Sequence, residues 1–240
     1  MSRTLSLPPS GPDRDPPPSV RVQILATEHW SLLATRSTTQ SEILSRINMF
    51  LTLVSASLVS LALIGQITGF DRRLVIVALV LLAFVLMVGG LTQVRIENGS
   101  NEDLAHVVGM NRLRAAYLDV DPSAGQYFVA SAHDDDSGVG QTYNHLIPSN
   151  RTQVLGSSFV FITFVNAGLA AAFGALCAMA VAAPGWLVGV VAAVVGVGFA
   201  VGSFVLTFRR YARMLAAYEP MFPTVRPSVA EDAEPDAQTR

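Results

Sequence analysis

Long runs of apolar residues dominate the chain, and they come in two closely spaced pairs. The four runs extend from Asn48 to Phe70, from Leu74 to Val94, from Val154 to about Ala183, and from Trp186 to Phe208. Each is longer than the roughly 20 residues that an α-helix needs to cross about 30 Å of hydrocarbon, and none contains a charged side chain. The pattern predicts an all-α membrane protein whose four transmembrane helices form two hairpins.

The chain before the first run mixes apolar and charged residues in a pattern that is typical of an amphipathic helix. Trp30 has the apolar body and polar tip of a side chain that anchors at lipid headgroups. Thr39 and Glu42 have the T-x-x-E spacing of a capping box, which predicts that a helix starts there and enters the first span. An interfacial helix from about Val22 to Arg36 would then end in a break near Ser37 to Thr39; one continuous helix is the alternative.

The segment between the hairpins, residues 95–153, is too polar to cross a membrane and too long for a simple turn. Asn98-Gly99 predicts a break after the second span, Ser100 offers the N-cap of a new helix, and Asp121-Pro122 predicts its end. The residues from Gln126 to Val129 suit a short strand or an aromatic anchor. The apolar residues of the helix recur at three- and four-residue spacing: Leu104, Val107, Met110, Leu113 and Tyr117. We expect this segment to form a folded extramembrane unit.

Both ends of the chain are rich in proline, small or charged residues and poor in aliphatic ones, which predicts disordered tails. A helix is expected to continue from the fourth span and to end before Pro220. The predicted organisation is a disordered Pro-rich tail (1–20), an amphipathic or interfacial helix (21–47), a transmembrane hairpin (48–94), a cytoplasmic helix and loop unit (95–153), a second transmembrane hairpin (154–208), a cytoplasmic helix extension (209–222) and a disordered acidic tail (223–240).

Composition agrees with a membrane location, since 51% of the residues are hydrophobic and only 14% are charged. All 16 basic residues are arginine, and the net charge is −2. No part of the chain carries the clustered basic charge that phosphate binding needs, so we expect no nucleic-acid partner.

The arginines near the ends of the spans are distributed unevenly between the two sides of the membrane. The side with the termini and the central segment carries Arg36, Arg46, Arg95, Arg112, Arg114, Arg151, Arg209, Arg210 and Arg213, and the other side carries Arg72 and Arg73. Positive residues favour the cytoplasmic side. We therefore expect a multi-pass protein of the bacterial inner (cell) membrane, with both termini in the cytoplasm.

His133, Asp134, Asp135 and Asp136 form the only cluster of hard metal ligands in the sequence, and His145 follows further on. A Ca²⁺ or Mg²⁺ site needs several oxygens at fixed distances. Because no EF-hand, H-E-x-x-H or paired CxxC spacing accompanies the cluster, a solvated acidic loop is the favoured interpretation and a metal site the alternative. Catalytic and phosphate-binding motifs are also missing from the sequence, which predicts a non-enzymatic protein without a cofactor.

Polar and small residues inside the spans are the other candidates for function. Asn166 lies near the middle of the third span, where an unpaired amide would be costly. It either forms a hydrogen bond between helices or lines a polar pathway with Thr163. Gln66 lies near the far end of the first span, within reach of the headgroups. Gly198 and Gly202 form a GxxxG motif, which favours close helix packing within the bundle or in a homo-oligomer.

Three parts of the chain resemble an uncharacterised family of bacterial four-span membrane proteins. They are the segment from Glu28 to Arg36, its continuation through Ser45-Arg46 into the first span, and the segment from Met110 to Tyr117. The resemblance implies no particular activity. The order of amphipathic helix, two-span hairpin and cytoplasmic helix also resembles SLATT-type effector domains, which are thought to form membrane pores in bacterial conflict systems; that resemblance is one of architecture alone.

These observations predict a helical bundle in the lipid bilayer whose cytoplasmic segment binds a protein partner or receives a signal. The alternative is an oligomeric pore or channel, which the polar side chains of the first and third spans favour.

Overall fold

A computed structural model describes residues 17–68, 71–144 and 157–224, and this part of the chain is helical and contains no strand. The elements are α1 (Pro18–Thr68), α2 (Arg72–Val120), a 3₁₀ helix (Pro122–Tyr127), α3 (Asp136–Tyr143), α4 (Ser158–Ala180) and α5 (Gly185–Ala216). Four helices, α1, α2, α4 and α5, are long and apolar enough to cross a membrane. The predicted all-α fold with four membrane helices is confirmed, and the protein is a multi-pass membrane protein.

The chain divides into two compact units. The large unit contains the described residues of 31–106 and 157–218, and with them all four apolar runs. The small unit contains residues 17–30, 107–144 and 219–224. The sequence places a folded unit in residues 95–153 alone; the structure instead gathers the small unit from three separate stretches.

α1 is one continuous helix, so the break predicted near Ser37 to Thr39 is absent. It begins at Pro18, because proline suits the first turn of a helix, where its missing N–H is not needed. Residues 18–20, assigned to the disordered tail from the sequence, are therefore helical. Hydroxyl groups around the predicted break donate to the carbonyl four residues earlier, from Thr35 to Ser31 at 2.9 Å, from Thr38 to Ala34 at 3.0 Å and from Ser41 to Ser37 at 2.9 Å.

α2 also continues through Asn98-Gly99, where the sequence predicts a break. Gly99 lies against Ile43 of α1, and a Cβ atom on Gly99 would collide with Cδ1 of Ile43. The glycine therefore permits close contact between two helices, and it does not end one. Ser100 does not cap a new helix, because its hydroxyl donates to the carbonyl of Ile96 at 3.0 Å.

Ion pairs connect α1 and α2 beyond the apolar runs. Nε of Arg36 lies 2.6 Å from Oδ1 of Asp103. Arg95 pairs with Glu42 at 2.9 Å and with Glu102 at 2.8 Å. Hydrogen bonds from Arg95, with a second contribution from Arg46, lower the pKa of Glu42 to about 2. Glu42 thus joins two helices, whereas the T-x-x-E motif predicts that it caps one.

The core of the large unit lies where α1, α2 and α4 meet. Its fully packed apolar residues are Ile47, Phe50, Val85, Ile96, Ile162 and Leu169. α4 and α5 form the second hairpin, and their connection includes Pro184. A Cβ atom on Gly196 of α5 would lie 3.0 Å from the Cβ of Ala171, so small residues bring these two helices close together.

The small unit includes the last turns of α2 and the chain that follows them. α2 ends at Val120, before Asp121-Pro122, as predicted. The Asp121 carboxylate accepts the N–H of Ser123 at 2.9 Å and caps the 3₁₀ helix. This helix contains Gln126 and Tyr127, so the strand considered for Gln126 to Val129 does not form. α5 ends at Ala216; residues 217–222, predicted to extend it, are not helical, and residues 219–224 belong to the small unit.

Some predictions concern residues outside the described ranges and stay predictions. They are the disorder of residues 1–16 and 225–240, the last part of the first span at residues 69–70, the first part of the third span at residues 154–156, and the role of His145.

Candidate functional site

A buried carboxylate organises the small unit. The side chain of Asp134 is fully buried, and its Oδ2 atom accepts a hydrogen bond from Nε of Arg112 at 2.7 Å. The same carboxylate accepts two backbone N–H groups, from Met221 at 3.0 Å and from Phe222 at 2.7 Å. Because a buried charge is costly unless it is paired and hydrogen-bonded, these contacts explain how the loop tolerates Asp134 in its interior.

The buried amide of Asn111 fixes the loop that carries Asp134. Its Nδ2 atom donates to the backbone carbonyl of His133 at 2.7 Å. Its Oδ1 atom accepts from Nη1 of Arg114 at 2.8 Å and lies 2.9 Å from the hydroxyl of Thr142. One amide therefore joins α2, the loop and α3, and its donor and acceptor are both used.

Asp135 has two structural roles. It caps α3 by accepting the N–H of Gly138 at 2.8 Å. It also accepts the N–H and the hydroxyl of Thr224, each at 2.9 Å. Burial raises the pKa of the Asp135 carboxyl, but these hydrogen bonds together outweigh it and hold the pKa below its usual value.

The four residues considered as metal ligands are used in other ways. His133 contributes its backbone carbonyl to Asn111, Asp134 pairs with Arg112, Asp135 caps a helix, and Asp136 is exposed in the first turn of α3. Across residues 17–68, 71–144 and 157–224, no group of three or more His, Cys, Asp or Glu side chains is placed to hold a metal ion.

An aromatic stack packs α1 against α2 within the small unit. The rings of His29 and Tyr117 are stacked with centroids 6.0 Å apart, and Phe128 meets Tyr117 edge-on at 6.5 Å. Burial, followed by the positive charge of Arg114, lowers the pKa of His29. Burial likewise lowers the pKa of Arg114. The stack therefore favours a neutral imidazole.

A groove of about 520 Å³ runs along the first turns of α1 in the small unit. It is lined by Val20, Gln23, Ile24, Leu25, Thr27, Glu28 and Leu113. Ile24 is 60% exposed, so a large apolar side chain faces solvent there. Four of the seven lining residues are apolar and contribute most of the lining surface, and Gln23, Thr27 and Glu28 add polar groups. Apolar walls with some polar groups are typical of a binding surface.

The candidate polar residues of the third span lie in the interior of the large unit. Asn166 is fully buried, and its Nδ2 atom donates to Oε1 of Gln93 at 3.1 Å, which joins α4 to α2. Its Oδ1 atom, which has no hydrogen-bond partner in the described structure, lies against Gly89, where a Cβ atom would collide with it. The buried hydroxyl of Thr163 donates to the carbonyl of Phe159 at 2.8 Å. This geometry favours the interhelical hydrogen bond over the polar pathway.

The remaining candidate residues lie at the surface of the large unit. Gln66 is exposed near the end of the first apolar run. Apart from the nearby backbone of α5 itself and the adjacent residues, no described atom lies within 4 Å of the position that a Cβ atom would occupy on Gly198 or on Gly202. The GxxxG motif therefore does not pack against the described helices of the same chain, in contrast to Gly196.

The sequence does not identify Gln93 as the partner of Asn166. Asn166 is the most polar residue in the middle of the third apolar run, and Gln93 is the most polar residue at the end of the second. Sequence reasoning also missed Asn111 and Arg112 as the centre of the small unit. Asn111 and Arg112 directly follow Met110 in a helix with a regular apolar pattern. Their position was the available signal, because polar groups that are buried in such a helix need hydrogen-bond partners.

No protein-family model, curated protein or solved structure shows a significant match to this chain.

Proposed function

We propose that the protein is a non-enzymatic component of a bacterial inner membrane, in which the four-helix bundle anchors the small unit in the cytoplasm and the small unit binds a protein partner. The groove beside Ile24 is the observation that carries this proposal. A folded unit that leaves an apolar groove open to solvent has the form expected of a surface that accepts an amphipathic helix.

The distribution of positive charge supports a cytoplasmic small unit. Arg112 and Arg114 belong to the small unit, and Arg209 and Arg213 are exposed at the end of α5, on the side of the bundle that leads to residue 219. Arg72 and Arg73 lie at the start of α2, whereas Arg112 and Arg114 lie near its end. Positive residues are enriched on the cytoplasmic side of membrane proteins.

The groove can be tested in intact cells with a photo-crosslinking amino acid in place of Ile24. Val129, which is 62% exposed in the small unit but does not line the groove, provides the matched control position. A discrete protein adduct from position 24, absent from position 129, is expected. Adducts with lipid only, or equal adducts from both positions, would contradict a protein-binding groove.

A second candidate function is an oligomeric pore, favoured by the exposed hydroxyl residues Thr52 and Ser55 of the first apolar run. Asn166 and Thr163 are buried within one chain, so a pore would be lined by α1 from several copies. Gly198 and Gly202 would allow α5 of a second copy to approach closely in such an assembly. This arrangement would accord with the architectural resemblance to SLATT-type domains.

Ion flux through liposomes separates the two candidates. Thr52→Val and Ser55→Ala remove exposed hydroxyl groups, while Ser57→Ala, which removes a buried hydroxyl group from the same run, serves as the control. Flux that the first two changes abolish would favour the pore. No flux from the folded protein under varied voltage would leave the binding function as the better account.

A further inference from the structure

The chain that follows α5 is held in the small unit mainly through its backbone. The carboxylate of Asp134 accepts the N–H groups of Met221 at 3.0 Å and Phe222 at 2.7 Å. In return, the N–H of Asp134 donates to the carbonyl of Phe222 at 3.2 Å. The chain bends at Met221 and Phe222, so that two successive N–H groups point to the same carboxylate. These contacts are made by backbone groups and do not depend on the identity of the side chains.

Asp135 adds one element of side-chain recognition. Its two carboxylate oxygens accept the N–H and the hydroxyl of Thr224, each at 2.9 Å. By contrast, the side chain of Met221 is 65% exposed and Pro223 is also exposed. The two carboxylates thus recognise three backbone N–H groups and one hydroxyl.

The two carboxylates are positioned by contacts that do not involve residues 221–224. Arg112 binds Asp134, and Asn111 holds the backbone carbonyl of His133, the preceding residue. Asp135 is held by the N–H of Gly138 at the start of α3. The site is therefore organised by α2 and α3, so it would persist if the bound segment left.

We infer that Asp134 and Asp135 form a binding site for the backbone of a bent peptide segment, and that residues 221–224 occupy it as an intramolecular ligand. A partner's segment that bends in the same way, with two successive free N–H groups followed two residues later by threonine or serine, would displace them. This inference rests on the proposed function for the existence of a partner, but it concerns a site separate from the groove beside Ile24.

Residues 221–224 would compete with any added peptide for the site, and a test must allow for this competition. A tethered ligand acts at a high effective concentration, so a free peptide binds measurably only when the tethered segment is weakened. Phe222→Pro removes the N–H that donates to Oδ1 of Asp134. Phe222→Ala retains that N–H and removes only the aromatic ring, which makes it the matched control.

The test uses the full chain in detergent micelles and a fluorescent, acetylated and amidated peptide with the sequence of residues 219–224. We expect Phe222→Pro to bind the peptide at least roughly tenfold more tightly than the wild-type chain, because a hydrogen bond to a carboxylate is lost from the tethered segment. Phe222→Ala is expected to stay close to wild type. A peptide with proline at the position of Phe222 is expected not to bind.

Two results would overturn the inference. One is equal peptide binding by Phe222→Pro and Phe222→Ala, since the ring would then hold the segment. The other is no peptide binding by Phe222→Pro although hydrogen exchange shows α3 protected as in wild type, since the segment would then be a fixed part of the fold. If Phe222→Pro does not fold, Thr224→Val replaces it. We expect Thr224→Val to bind the peptide detectably, but more weakly than is expected of Phe222→Pro. The crosslinking result at Ile24 is independent of each outcome.

Discussion

The buried carboxylate of Asp134 lies 2.7 Å from Nε of Arg112, and this pair connects α2 to the loop before α3. Arg112 is partly exposed, whereas Asp134 is fully buried, so the arginine compensates a charge that water does not reach. The same carboxylate holds the segment after α5. Asp134 therefore connects three stretches of the chain: α2, the loop before α3 and the segment after α5.

Arg112→Leu should destabilise the small unit by about 1–3 kcal/mol, because the Asp134 carboxylate would lose its cationic partner while staying buried. Hydrogen exchange of the α3 amides in the detergent-solubilised protein measures this loss of free energy. Arg213→Leu removes an exposed arginine from the end of α5 and serves as the control, with little change expected. Equal protection of α3 in Arg112→Leu and wild type would contradict the assigned role of the pair.

Gly89→Ala should destabilise the large unit by about 1–3 kcal/mol, because the added Cβ atom would collide with Oδ1 of Asn166. Gly90→Ala is the matched control, since no described atom lies within 4 Å of its Cβ position. That substitution should leave stability unchanged or raise it slightly through helix propensity. Thermal unfolding in detergent reports both.

The collision at Gly89 can be tested further by a second substitution. Asn166→Ala removes one of the two side chains that the new Cβ atom would meet, since Cζ of Phe50 would still lie 2.8 Å away. The double variant with Gly89→Ala should therefore be more stable than the sum of the two single effects predicts. Strict additivity would show that Gly89 and Asn166 do not interact, and would argue against the packing described for α2 and α4.

The span count follows from the sequence because apolar length and the absence of charge are local properties. The continuity of α1 and α2 does not follow. Asn98-Gly99 has the local chemistry of a helix break, yet contact with Ile43, distant in sequence, gives the glycine another role. Helix-ending signals are weak when packing against a neighbouring helix offsets them.

The candidate site also depends on contacts between residues that are distant in sequence. The aspartates after His133 suggest a solvated or metal-binding loop, because the sequence does not reveal that Arg112 and residues 221–224 approach them. Asn166 was identifiable from its depth in an apolar run, since an amide there needs a partner. Its partner Gln93 depends on how α2 and α4 face each other, which the pattern along the chain does not specify.

Acidification should weaken the small unit through His29. Because the pKa of His29 in the folded chain is below its ordinary value of 6.5, the unfolded chain binds more protons as the pH falls. The contribution of His29 to the stability of the small unit is therefore fully present above pH 6.5. It decreases as the pH falls through 6.5 towards the pKa of His29 in the folded chain. Hydrogen exchange of the C-terminal part of α2 between pH 7.5 and pH 5 measures the decrease, after correction for the intrinsic exchange rate.

His29→Phe provides the control for this pH dependence. Phenylalanine retains an aromatic ring next to Tyr117 but cannot acquire a proton beside Arg114. The stability of this variant should change less between pH 7.5 and pH 5 than that of the wild-type chain. An unchanged pH dependence would assign the effect to another group.

The proposed cytoplasmic location of the small unit can be tested by the reactivity of single cysteines with a membrane-impermeant maleimide. In a Cys177→Ala background, Val129→Cys reports on the small unit and Val181→Cys on the turn between α4 and α5, both at exposed positions. We expect that the maleimide labels position 181 in intact spheroplasts and labels position 129 only after lysis. Labelling of position 129 in intact spheroplasts would contradict the proposed orientation.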